Sequence, residues 1–91
     1  MRISFEPEDV LKLKSALDLC EDAEVVGPDE YVVDVYDLDP PVSLELGFDR
    51  KGVNVLAAEK LAFDEELDGW YLAGPITDET LLTKVLRTLL C

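Results

Sequence analysis

Residues 42–48 alternate without exception: Val42, Leu44, Leu46 and Phe48 are apolar, while Ser43, Glu45 and Gly47 between them are not. Side chains on a strand repeat every second residue, so this pattern predicts a strand with one apolar face and one polar face. Asp49-Arg50-Lys51-Gly52 reads as a hairpin turn, and residues 53–58 as the returning strand with Val53, Val55 and Ala57 inward. An isolated two-stranded hairpin is marginal in water, so the rest of the chain has to cover its apolar face.

Two segments carry stripes suited to that task. Pro7 fits the first turn of a helix, where its missing N–H would be unpaired anyway, and Glu8 and Asp9 fit the positive end of the helix dipole. Val10, Leu13, Leu17 and Cys20, flanked by Leu11, Ala16 and Leu19, then recur at helical spacing to about Glu21. Near the other end, Thr77 or Asp78 caps a second helix, with Ile76 placed to pack against Leu81 as a hydrophobic staple. Leu81, Leu82, Val85, Leu86, Leu89 and Leu90 form its broad stripe, which suits core packing better than a dimer seam in so short a chain.

The remaining segments read as strands and turns. Residues 1–5 form a short strand with Ile3 and Phe5 on one face, and Gly27-Pro28-Asp29-Glu30 is a turn. Residues 32–36 are β-branched and aromatic, and Pro40 and Pro41 break that strand because neither can donate to a ladder. Residues 59–68 fit either a helical turn or a loop around a short strand at 61–63, and residues 70–73 form another short strand. The predicted order is β-α-β-β-β-(β)-α in a single domain, residues 1–91: an α+β two-layer sandwich, mostly antiparallel, with both helices on one face. The crossover through the first helix predicts that the first two strands are parallel and connected in the right-handed sense. The face away from the helices would carry Val32, Asp34, Tyr36, Glu45, Asn54, Leu56, Tyr71 and Ala73.

Charge bounds the function. Residues 15–49 hold eleven carboxylates and no lysine or arginine, and residues 61–83 hold six more acids and no base. The net charge is -13 on 91 residues, yet 48% of residues are hydrophobic, so the acids coat a core and do not form a disordered tail. Such a surface repels nucleic acid and anionic membrane and attracts a basic protein partner; a salt-rich interior would favour the same composition. No run approaches the length of a membrane span, and no signal peptide is recognisable. Two cysteines, Cys20 and Cys91, do not make the framework of a small secreted domain, so a reducing, cytoplasmic setting is expected. Cys20 reads as a small core residue, and Cys91 stands three places too late for a prenylation signal.

Chemistry is thinly represented. Without histidine there are no serine or cysteine nucleophiles paired to imidazole and no histidine-ligated metal, and no glycine spacing matches a phosphate loop. No cofactor is expected. Asp34 and Glu45, both on the outer face, would be the acid–base pair of a carboxylate-dependent enzyme. Asp34, Asp37 and Asp39, or the run Asp64-Glu65-Glu66 with Asp68, are oxygen-rich enough for calcium or magnesium, but solvated loop acids explain them more simply. The favoured reading is a small regulator or inhibitor, immunity protein or nucleic-acid mimic that docks on a basic partner. Its contact residues would be Asp34, Tyr36, Glu45, Leu56 and Tyr71, with Tyr71 outward beside Tyr36. A carboxylate or metal enzyme and a protomer that self-associates through the same sheet face are the alternatives.

Overall fold

A computed structural model describes residues 1–90; Cys91, and with it the prenylation argument, lies outside the described residues. The elements are β1 (Arg2–Ser4), α1 (Pro7–Asp18), β2 (Ala23–Gly27), β3 (Glu30–Val35), β4 (Val42–Phe48), β5 (Gly52–Asp64), β6 (Gly69–Pro75) and α2 (Glu79–Leu89). Six strands form one sheet in the order β1-β5-β4-β3-β2, with β6 paired to β5, and all these pairings are antiparallel. Val42, Leu44, Leu46 and Phe48 are buried, as their alternation predicts. They share one hydrophobic cluster with Ile3, Phe5, Val33 and Val53, with Leu13 and Leu17 of α1, and with Leu82, Val85 and Leu86 of α2. This is an α+β sandwich in which Val10, Leu13 and Leu17 of α1 and Leu82, Val85 and Leu86 of α2 turn into the core, while Leu11, Leu19 and Leu81 stay exposed. Cys20 is half-buried against the same cluster.

Three expectations need correction. First, residues 1–5 and 32–36 are not parallel neighbours: β1 pairs with β5, and β5 and β4 separate it from β3. The helix carries the chain from one edge of the sheet to β2 at the other, and β2 then turns back through Pro28 and Asp29 into β3. Asp29 sits at φ 55, a left-handed conformation that aspartate tolerates in turns. β2 escapes a pattern search because adjacent Val25 and Val26 on an edge strand are both exposed, leaving no alternation to read.

Second, α1 stops at Asp18, short of Glu21. Its last turn holds no base, and the acids that follow would oppose the negative end of the dipole. The Tyr31 hydroxyl donates to Asp18 Oδ1 at 2.8 Å and ties this helix end to β3. Burial, then that hydrogen bond, raises the Tyr31 pKa above its ordinary value.

Third, residues 59–68 form no helical turn: the short strand expected at 61–63 is present but belongs to β5, which runs unbroken to Asp64, and only residues 65–68 are a turn. The register slips between Glu45 and Leu46, so that Leu46 faces Val55 and Glu45 faces Ala57, leaving Leu56 as the extra residue of a bulge. Beyond the bulge Ala58, not Ala57, is the buried residue. Gly52 also has a steric role, since a Cβ there would lie 2.7 Å from the carbonyl oxygen of Ile3, across the β1–β5 pairing.

Two ion pairs, Arg2–Asp49 and Lys14–Asp29, are formed among the described residues, against a total of 21 acids in the chain. Repulsion therefore dominates the surface electrostatics. Thermal melts in sodium chloride should show a rising midpoint as the Debye length shrinks from about 10 Å at 0.1 M to about 3 Å at 1 M. A midpoint that stays level or falls over that range would contradict this.

Candidate functional site

Register places the outer face residue by residue. One row across the sheet runs Glu24, Val32, Glu45, Ala57, and the next runs Asp34, Ser43, Glu59, Pro75. A third row, Glu30, Gly47, Asn54, Arg2, closes the far end. Glu24, Glu30, Asp34, Glu45 and Glu59 are thus the carboxylates in these rows, and Arg2 is their base. Arg2 is engaged with Asp49, at 2.9 Å from Nη2 to Oδ1. The backbone N–H of Lys51, and then the Arg2 side chain, hold the Asp49 carboxyl below its usual range. That is the opposite of the upward shift a general acid needs.

An aromatic corner adjoins the second row. Strand parity from Glu59 carries Leu61 and Phe63 to the outer side, opposite Leu72 and Trp70 of β6. The Trp70 ring lies 5.1 Å from Tyr36 and 5.4 Å from Phe63, centroid to centroid. In sheet order β4 and β5 stand between Tyr36 and β6, so this contact requires the β5–β6 ribbon to coil over the outer face. Past Lys60 that ribbon has lost β4 as a neighbour, and two-stranded ribbons and bulges both twist strongly. Gly74, at φ 128, supplies the irregular backbone in β6, where three residues after Leu72 are matched by only two steps on β5. Leu61 is buried, yet it is not a member of the helix-side core cluster. The Tyr36 hydroxyl donates to Asp34 Oδ2 at 3.3 Å. Burial first, and then the Asp34 charge, raise the pKa of that phenol.

Of the five expected contact residues, Asp34, Tyr36, Glu45 and Leu56 lie on the outer face, but they do not form one patch. Asp34 faces Ser43 and Glu45 faces Val32, which makes the two carboxylates diagonal neighbours, about 7–8 Å apart at the backbone. Leu56 is exposed at the opposite end from Tyr36, where its δ1 carbon approaches Gly47. Tyr71 is exposed but pairs with Ala62, on the other side of β6 from Trp70. Its expected place beside Tyr36 belongs to Trp70. The expectation of Tyr71 outward took Leu72 to face inward; the alternation over 70–72 holds, but Leu72 sits opposite Leu61 on the outer side and carries Trp70 out with it. Phe63 was missed because it fell in the segment with no clear pattern, although its spacing from Leu61 and Glu59 carried the signal.

The acidic loops have local tasks. Asp64 Oδ1 accepts from the backbone N–H groups of Glu66 and Leu67, which is turn chemistry, and Asp68 at φ 51 completes the turn. Among the described residues no three of His, Cys, Asp and Glu are gathered in a way that could hold a metal ion, Asp34, Asp37 and Asp39 included. An open groove of about 590 Å³ between α1 and the β4–β5 turn is lined by Asp29 and Asp49, both of which are already paired to bases. No described helix is long and apolar enough to cross a membrane.

The fold and this face together define an acidic α+β domain with an exposed aromatic corner on its helix-free side. No family model, curated protein or solved structure matches the chain.

Proposed function

We propose that the protein works by protein–protein contact in the cytoplasm, presenting the outer face of its sheet to a basic partner, in the manner of an inhibitor or regulator of a nucleic-acid-binding protein. The observation that carries this reading is the coincidence, on one face, of carboxylates in successive rows with the half-exposed rings of Tyr36, Phe63 and Trp70. Complementary charge speeds encounter and selects the partner, while aromatic anchors supply much of the binding energy. On the helix side, Leu82, Val85 and Leu86 of α2 are spent on the core.

A pull-down from native lysate at low and high salt tests it with two triple variants of equal charge. Asp34→Asn/Glu45→Gln/Glu59→Gln neutralises the outer face, and Glu6→Gln/Glu8→Gln/Glu21→Gln neutralises exposed acids elsewhere. The reading predicts a partner that is retained at low salt, lost on the outer-face variant and kept by the control. Equal loss from both variants would mean that only net charge matters, and would defeat the proposal.

A further inference from the structure

We infer that the aromatic corner formed by Tyr36, Trp70 and Phe63 seats an arginine side chain of the basic partner. This deepens the proposal above and rests on it. The rings pack edge and tilt against one another, and Tyr36, Phe63 and Trp70 remain 39%, 46% and 46% exposed, so each keeps ring surface open to a ligand. Carboxylates flank them in the adjoining row, where Asp34 and Glu59 sit on either side of Ser43. Asp34 additionally holds the Tyr36 hydroxyl.

This combination favours guanidinium over ammonium. A guanidinium is planar and weakly hydrated, so it can lie on an indole or phenol face while its N–H fork reaches a carboxylate beside the ring. A lysine ammonium is a compact, strongly hydrated point charge; it satisfies the acids and gains less from the rings. The fold itself uses the same chemistry on its other side, where the Arg87 guanidinium lies 5.3 Å from the Phe5 ring centroid. The rings also have to be aimed outward, and the bulged, coiled β5–β6 ribbon does that. An ordinary flat hairpin would have kept Trp70 far from Tyr36.

Trp70 is the single tryptophan, so its fluorescence reports on the corner directly. The probes are two peptides of equal charge and length, one alternating Arg and Gly and the other Lys and Gly, titrated at low salt by calorimetry and by emission. The Arg peptide should bind about five- to tenfold more tightly than the Lys peptide and should alter Trp70 emission in step with binding. In Trp70→Leu, and independently in Tyr36→Leu, that preference should shrink to near unity while the affinity for the Lys peptide survives. Equal affinities with unmoved emission would overturn the arginine seat but leave the acidic-face proposal standing. Binding of neither peptide would remove both. Self-association abolished by Arg50→Ala would also overturn it, because the seat would then belong to a second copy of this chain.

Discussion

Leu46→Ala should lower the unfolding free energy by about 3–5 kcal/mol, the cost of removing a fully buried leucine and leaving a cavity. Leu46 is 0% exposed, on the strand with neighbours on both sides, β3 and β5. A domain of 91 residues has roughly 5–14 kcal/mol of stability in total, so this change alone removes a large share of it. The thermal midpoint should fall by more than about 10 °C. Leu11→Ala is the control: Leu11 is 65% exposed on α1, and its loss should cost no more than about 0.5 kcal/mol. Urea titrations of the two variants check the contrast. Similar midpoints would mean that the core does not lie between β4 and the helices.

Trp70→Ala should weaken association with the proposed basic partner more than about tenfold, the loss expected for a central aromatic anchor. It should also reduce stability by about 1–2 kcal/mol, because the contacts to Tyr36 and Phe63 that hold the ribbon over the sheet go with it. Trp70→Phe separates the two effects, retaining a ring for packing at some loss of contact area. Tyr71→Ala, one residue on but facing the other way, should leave association unchanged. Affinity and urea midpoint measured on the same three variants decide it. A binding loss in Tyr71→Ala with none in Trp70→Ala would place the contact surface on the wrong side of β6.

The parts of this fold that are legible in the sequence are those where one period persists. Val42 to Phe48 alternate over seven positions, and the burial of β4 follows residue by residue. The stripe of the second helix was readable at Leu82, Val85 and Leu86, though Leu81 stays exposed, and of the two expected caps, Thr77 or Asp78, it is the Asp78 carboxylate that accepts from the N–H groups of Thr80 and Leu81. Parity failed where the backbone inserts residues. The bulge at Leu56 exchanges Ala57 for Ala58 in the core, and the irregularity around Gly74 accompanies the exchange of Tyr71 for Trp70 beside Tyr36. Ala57-Ala58-Glu59-Lys60-Leu61-Ala62 is made of good helix formers, so local propensity argued against the strand that cross-strand pairing imposes. The acidic half of the candidate site was therefore visible in composition and alternation. Its aromatic half depends on how β5 and β6 coil, which no local pattern encodes.

Hydroxyl-radical footprinting of the chain, free and bound to the partner it retains, tests most directly whether the outer sheet face is the contact surface. Protection is predicted at Tyr36, Phe63 and Trp70, while Leu11 and Leu19, exposed on α1 and at its end, react as before. Protection of Leu11 and Leu19 with the three rings unchanged would contradict it.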